Sequence, residues 1–168
     1  ITNFYGSNLI VNNSQFLNSK GGVLYTYDAY SKVYNTLINN TEIYYLNSIF
    51  GIRQELLEDC ELITDNVSVL NSEGLGSIYR LYGIKCDIIN SNIINSSCKG
   101  DIVASFNPNV NIYNSTFIDG SGFVDKIDWN VSLSQFIGNR NLTFKGSNHF
   151  NGILLMNNIG AIEFTGDE

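Results

Sequence analysis

The sequence predicts an all-β solenoid built from stacked coils of short parallel strands. Three observations carry that prediction. A phrase of the form apolar-x-Asn-Ser-x-apolar returns every couple of dozen residues. Apolar and β-branched runs of three to five residues are cut by Asn, Gly, Ser and Asp. Hairpin signals are confined to Asn151-Gly152 and Asp119-Gly120, too few to build an antiparallel sandwich. A unit repeated at this period is one supersecondary element stacked on copies of itself.

The clearest copy of the phrase is Ile112-Tyr113-Asn114-Ser115-Thr116-Phe117, and Val11-Asn12-Asn13-Ser14-Gln15-Phe16 repeats it. Looser copies are Asn35-Thr36-Leu37-Ile38, Asp59-Cys60-Glu61-Leu62, Asn90-Ser91-Asn92-Ile93 and Leu133-Ser134-Gln135-Phe136. With the Asn-like residue as marker, copies fall at positions 13, 35, 59, 90, 114 and 133, at intervals of 22, 24, 31, 24 and 19. Such intervals suit a coil of about three short strands.

Each position in the phrase has a mechanical role. Asn tolerates the left-handed backbone region, so Asn114 takes a sharp bend. Ile112 closes one strand pointing inward. Ser115 and Phe117 point inward on the next strand and Thr116 points out, because side chains alternate along a strand. Asn residues stacked at the bend can hydrogen-bond up and down a column. Phe16, Ile38, Leu62, Ile93, Phe117 and Phe136 are then expected to stack as an apolar column. Burial of each contributes about 1.5–3 kcal/mol.

Other segments fit the same scheme. Gly22-Val23-Leu24-Tyr25, Ile102-Val103-Ala104, Gly122-Phe123-Val124 and Gly160-Ala161-Ile162-Glu163-Phe164 read as short strands. The single proline, Pro108, falls in the turn-like Asn107-Pro108-Asn109, where no ladder donor is needed. Only Arg53-Gln54-Glu55-Leu56-Leu57-Glu58 has helix-favouring composition. Residues 42–82 depart from the pattern and are expected to form longer or bulged coils.

The phrase, followed within about ten residues by a Gly-led strand, resembles the right-handed parallel β-helix of the pectate-lyase-like superfamily. It is most similar there to adhesin-like repeats and to polymorphic outer-membrane-protein repeats. Gly21-Gly22-Val23-Leu24 and Ile159-Gly160-Ala161-Ile162 approximate the Gly-Gly-Ala-Ile motif of those repeats, and Phe136-Ile137-Gly138-Asn139 matches their Phe-x-x-Asn motif. The resemblance covers most of the chain. It implies one right-handed parallel β-helix domain over residues 1–168, of about six or seven coils. The chain opens in mid-pattern without Met, so it is read as a segment of a longer polypeptide.

Composition narrows the function. The net charge is −7, and the nine basic residues are dispersed from Lys20 to Lys145. That argues against nucleic-acid binding by phosphate neutralisation and against adhesion to an anionic membrane. No apolar run reaches the ~20 residues of a membrane-spanning helix. No cofactor fingerprint and no Cys/His metal spacing is present, so neither a cofactor nor a metal is expected.

Catalysis has candidates nonetheless. Relatives of the fold cleave acidic polysaccharides with clustered carboxylates. Asp125 and Asp128 form an Asp-x-x-Asp pair, and Asp101 lies 24 positions before Asp125, one coil away. Two carboxylates ~5–9.5 Å apart can act as acid and base. The alternative is that these acids sit on solvated turns. The sole histidine, His149, has no flanking catalytic pattern.

Cys60 and Cys86 are 26 positions apart, close to one coil, and could stack within disulfide reach. The alternative is that they, with Cys98, are small buried apolar groups. Asn-x-Ser/Thr sequons at Asn12, Asn39, Asn66, Asn95, Asn114, Asn130 and Asn141 fit a secreted glycoprotein, although the phrase itself generates some of them. Tyr25, Tyr27, Tyr30 and Tyr34 cluster, and outward tyrosines on a flat sheet can bind sugars or proteins.

The expected function is therefore a non-catalytic, extracellular or cell-surface structural and adhesive module. It would present turns and outward faces to protein or carbohydrate partners, with flanking domains or subunits capping the coil ends. The rival readings are a polysaccharide lyase or glycoside hydrolase, and a viral or phage fibre segment.

Overall fold

A computed structural model describes residues 2–5, 8–44, 48–53, 60–98, 103–106, 109–124, 128–145 and 148–165. Every strand pairing in it is parallel, and each strand pairs with its equivalent one coil away. The chain is a parallel β-helix, the all-β solenoid that the repeat predicts. Among the described residues three sheets run along the stack, with eight, twelve and four strands. The eight-stranded sheet begins each coil, as in Leu24–Tyr27, Ser48–Arg53 and Ser77–Tyr82. The twelve-stranded sheet follows, and a bend divides it into two halves. The four-stranded sheet is made of two-residue strands such as Glu42–Ile43 and Glu73–Gly74.

The bend lies where the phrase puts it. Asn13, Asn35, Asn66, Asn90, Asn114, Leu133 and Gly152 all have φ between 47° and 65°. A left-handed residue at each coil turns the strand without breaking the stack. Intervals between these bends are 22, 31, 24, 24, 19 and 19 residues. The marker expected at Asp59 is corrected: that residue lies outside the described residues, and the bend of its coil is Asn66. The long interval therefore falls one coil earlier, between Asn35 and Asn66. Leu62 correspondingly leaves the column assigned to it. It pairs with Cys86 and Ser31 in another column, and Val69 takes its place between Ile38 and Ile93.

The corrected column is Phe16, Ile38, Val69, Ile93, Phe117, Phe136 and Leu155. Phe117 and Phe136 stack with centroids 5.1 Å apart and planes 5° from parallel. Across the core, Phe144 meets Phe136 edge-on at 5.7 Å. Tyr79, fully buried, stacks on Phe50 and shares a hydrogen bond with Thr64 Oγ1 at 3.3 Å, so its hydroxyl is satisfied inside an apolar core.

A second bend, absent from the sequence reading, follows five residues after the first. Asn18, Asn40, Asn71, Asn95, Asp119, Gly138 and Asn157 are all left-handed there. Both bends carry amide ladders of one polarity. In them an Asn Nδ2 donates to a side-chain oxygen one coil toward the N-terminus: Asn66 to Asn35 at 2.8 Å, Asn114 to Asn90 at 2.8 Å, Asn95 to Asn71 at 2.8 Å. Immediately after each bend runs a buried hydroxyl ladder of opposite polarity. The backbone N–H of Val67 donates to Ser91 Oγ, that of Ser91 to Ser115 Oγ, and that of Ser115 to Ser134 Oγ. Each Ser hydroxyl in turn donates to a carbonyl two residues back, as Ser115 does to Tyr113 at 2.9 Å. The hydroxyls of Ser91, Ser115 and Ser134 after the first bend are all hydrogen-bonded, which is what permits a serine in the core; after the second bend Thr41 Oγ1 is buried without a hydrogen-bond partner.

Candidate functional site

With bends and interior committed to stacking, the outward positions are the ones that differ in chemistry from coil to coil. On the eight-stranded sheet, three successive coils place two rows side by side. Tyr25 pairs with Gly51 and Gly51 with Arg80; Tyr27 pairs with Arg53 and Arg53 with Tyr82. The alternation is visible in burial: Leu24, Thr26, Ile52 and Leu81 are interior, while Tyr25, Tyr27, Arg80 and Tyr82 are half-buried and Arg53 is exposed.

The grid is internally ordered. Tyr25 and Tyr27 meet edge-to-face at 5.1 Å. The Arg80 and Arg53 guanidinium carbons lie 5.5 Å and 6.0 Å from the Tyr82 ring centre, within cation–π range. Arg80 Nε also donates to Tyr82 Oη at 2.8 Å. Gly51 is required for this layout. A Cβ there would collide with the Tyr25 ring, which lies across the glycine. Burial, then the hydrogen bond with Tyr27, raises the Tyr25 pKa above that of a free phenol.

A second polar cluster lies on the twelve-stranded sheet. Lys85 Nζ contacts Glu61 Oε1 at 2.7 Å and Asp87 Oδ2 at 3.0 Å, and Asn111 donates to Asp87. The hydrogen bonds to Glu61 and Asp87 raise the Lys85 pKa above the ordinary lysine value. In this charge row one cation answers two carboxylates, so one negative charge is left over.

Of the catalytic candidates drawn from the sequence, only Asp128 lies among the described residues. Asp101 and Asp125 lie outside the described residues. Asp128 opens the strand Asp128–Ser132 and pairs in register with Asn109. His149 is exposed and pairs with Asn130. Among the described residues, no group of three or more His, Cys, Asp or Glu could hold a metal ion. No helix among them is long and apolar enough to cross a membrane.

The Cys60–Cys86 pairing is corrected. Both are buried thiols and no disulfide joins them. Cys86 stacks on Leu62, two residues beyond Cys60, because this coil is 24 residues long (86 − 62) and the two cysteines are 26 apart (86 − 60). Burial raises the Cys86 pKa well above the ordinary thiol value.

The sequons divide by geometry. Asn66, Asn95 and Asn114 spend Nδ2, the atom a glycan would take, in the bend ladders. Asn12 and Asn39 only accept in those ladders, through Oδ1. Asn130 is exposed. Asn141 lies in the strand Arg140–Lys145.

Sequence reasoning missed Arg53, Arg80 and Tyr82. Only Tyr25 and Tyr27 of the grid stood out, by local density. Arg53 and Arg80 are 27 positions apart, and only the register brings them together.

The architecture defines the class: an all-β parallel solenoid. No family model matches the chain, and no curated protein matches it. Among solved structures it is similar to a trypsin-treated variant of QnrB1, a plasmid-mediated fluoroquinolone resistance protein. The two share 9% identity over 92% of this chain and 91% of that one, with a TM-score of 0.19. A score that low carries no argument about fold or function.

Proposed function

We propose that the chain is a non-catalytic structural and adhesive β-helix module that works outside the cell or at its surface, presenting outward faces to protein or glycan partners. The observation that carries this reading is a division of labour between positions. Ladders and apolar columns occupy the bends and interior, while three successive coils place Tyr25, Tyr27, Arg53, Arg80 and Tyr82 on one outward face. A repeated scaffold of this kind presents an extended surface with little rearrangement. Nucleic acid is disfavoured as a partner by the net charge of −7.

Capping of the stack by flanking domains or subunits belongs to the same proposal. Leu155 occupies the core column but is 40% exposed, whereas Phe136 beneath it is fully buried. Toward the other end, Leu9, Val11, Phe16, Val23, Leu24, Val33, Ile38 and Phe50 line a cavity of about 190 Å³. Apolar surface of this sort favours a covering partner.

The test sets binding against turnover. Labelled protein is applied to a glycan array and to immobilised extracellular-matrix proteins. In parallel it is incubated with acidic and neutral polysaccharides and assayed for reducing ends. Retention without reducing-end release is expected. Release that disappears in Asp125→Ala and Asp128→Ala variants would overturn the proposal in favour of an enzyme, and failure to bind any surface would overturn its adhesive half.

A further inference from the structure

We infer that the outer face of the second half of the twelve-stranded sheet is a self-association surface, on which a second copy of this chain docks with its coils in reverse order. This face is a different one from the Arg–Tyr grid, and the inference does not depend on the adhesive reading.

An apolar stripe carries it. In this half of the sheet the middle residue of each strand points into the core and its neighbours point out, because side chains alternate. The last outward position reads Leu70, Ile94, Ile118, Ile137 and Met156 on five consecutive coils, held in line by the register. The first four are half-buried and Met156 is 44% exposed, so the stripe is open to contact. Contiguous apolar surface on an outer face marks a site of association.

Charge selects the partner. The other outward column, from Gln15 through Asn92 and Thr116 to Leu154, holds no Asp, Glu, Lys or Arg. Leu17 and Asn39, which continue the stripe onto the first two coils, are also uncharged. Of the left-handed bend residues that border the face, only Asp119 carries a charge. Charged side chains gather elsewhere: Lys85 with Glu61 and Asp87 on the first half of the same sheet, Lys20 with Glu42 on the four-stranded one. Two copies of a molecule of net charge −7 repel one another, and they repel least where neither presents a charge. A strongly charged partner finds nothing on this face to pair with.

Spacing points to the same partner. Coils lie ~4.8 Å apart, so aliphatic side chains recur at that interval along about 19 Å of stripe. A second copy brings the identical interval, and its side chains can interdigitate along the whole length, as those of identical sheets do in dry stacked interfaces. Two twofold arrangements lay this face on itself. An axis along the coil stack sets the stripe against the mostly polar column of Asn92 and Thr116. An axis along the strands lays stripe on stripe and reverses the coil order, and the burial of apolar surface favours this one.

The area suffices for a reversible dimer. The two bends that border the face are five positions apart in each of seven coils. At ~3.3 Å per residue and ~4.8 Å per coil the face is about 16 Å by 34 Å. Full overlap buries about 1,100 Å² over both copies, near the lower limit of a specific interface.

The experiment is sedimentation equilibrium of the chain from about 1 to 500 µM, the range in which an interface of this size should titrate. A monomer–dimer equilibrium is expected. Ile94→Lys/Ile118→Lys and Ile94→Asp/Ile118→Asp variants should each dimerise about tenfold more weakly or worse, because like charges then meet across the interface. Mixing the two variants should restore the dimer, since stripe faces stripe. Ile63→Lys/Tyr113→Lys, which puts the same charges on the first half of the sheet, should leave it intact. Circular dichroism establishes that each variant is folded. A wild type that stays monomeric at the highest concentration, assembly beyond the dimer, or undiminished association of the folded double variants would overturn the inference. So would a mixture that fails to associate, because stripe would then not face stripe. A monomer that instead cosediments with phosphatidylcholine vesicles would overturn it in favour of a lipid surface. None of these outcomes bears on glycan or matrix binding, which is tested separately.

Discussion

Asn114 donates its side-chain amide to Oδ1 of Asn90, one coil below, at 2.8 Å, while both residues hold left-handed backbone at φ 47°. The same residue type thus solves two problems. Its backbone makes the bend, and its amide ties that bend to the next. Removing the amide should separate the two roles. Asn114→Gly keeps the bend and loses the ladder bond, about 1 kcal/mol for a hydrogen bond of this kind. Asn114→Ala loses the same bond and keeps a Cβ in the left-handed region without the polar side chain that lets Asn tolerate it, so it should lie roughly 1–2 kcal/mol below the Gly variant. Urea denaturation should therefore rank wild type above Gly above Ala. Equal loss in both variants would mean that the backbone contributes nothing.

Leu133 is the one position in the first bend column where a left-handed residue is neither Asn nor Gly, at φ 51° and 53% exposed. Leucine gains nothing from burial there and bears the left-handed penalty. Leu133→Asn should relieve it and extend the ladder onto Asn114, stabilising the protein by about 1 kcal/mol. A lower thermal midpoint for this variant would show that Leu133 packs against something the bend geometry does not reveal; its Cδ2 already lies near Gly152.

The ladders also predict where glycans can be carried. Attachment at Asn66, Asn95 or Asn114 replaces an amide hydrogen and sets a saccharide in the ~4.8 Å space between coils. Asn130 is exposed and takes no part in the bend ladders. When the chain is expressed through a secretory pathway, peptide mapping of the folded fraction should find occupancy at Asn130 exceeding that at the three ladder donors. Glycans at Asn114 in folded protein would contradict the ladder as a structural requirement.

Lys85 gives a pH signature. Hydrogen bonds to Glu61 and Asp87 raise its folded pKa above the unfolded value. A raised lysine pKa adds stability that is fully present below the unfolded pKa of about 10.4 and is lost as pH rises through the folded pKa. Lys85 is 48% exposed, so solvent screening limits the pair to no more than about 1 kcal/mol. Lys85→Met should cost up to that amount near neutral pH, less at high salt, and the difference from wild type should fade at strongly alkaline pH. A difference that grows with pH would have the wrong sign for this interaction.

Several features were legible because they are local. Asn114-Ser115-Thr116-Phe117 states its own geometry: a left-handed bend, then an alternation of inward and outward side chains. Ser115 and Phe117 are buried and Thr116 is half-buried, as that alternation requires. The coil containing Asn66 was misread because Asp59 precedes an apolar residue at a similar spacing. The true phrase, Asp65-Asn66-Val67, has valine where serine is usual. The second bend escaped because its residues vary among Asn, Asp and Gly, all of which tolerate positive φ without sharing a motif.

Sequence alone determined that the chain is a stack of coils, which residues bend it and which residue types fill it, because bend and alternation depend on neighbours a few positions apart. Tertiary structure decided which residues face one another across coils. One insertion of a few residues shifts every later pairing, so the separation of Cys60 from Cys86 and the meeting of Arg53 with Arg80 both depend on coil length. The outward face of Tyr25, Tyr27, Arg53, Arg80 and Tyr82 is a product of register, and register is set by the whole stack, since each coil is held by the ladders of the coils above and below it.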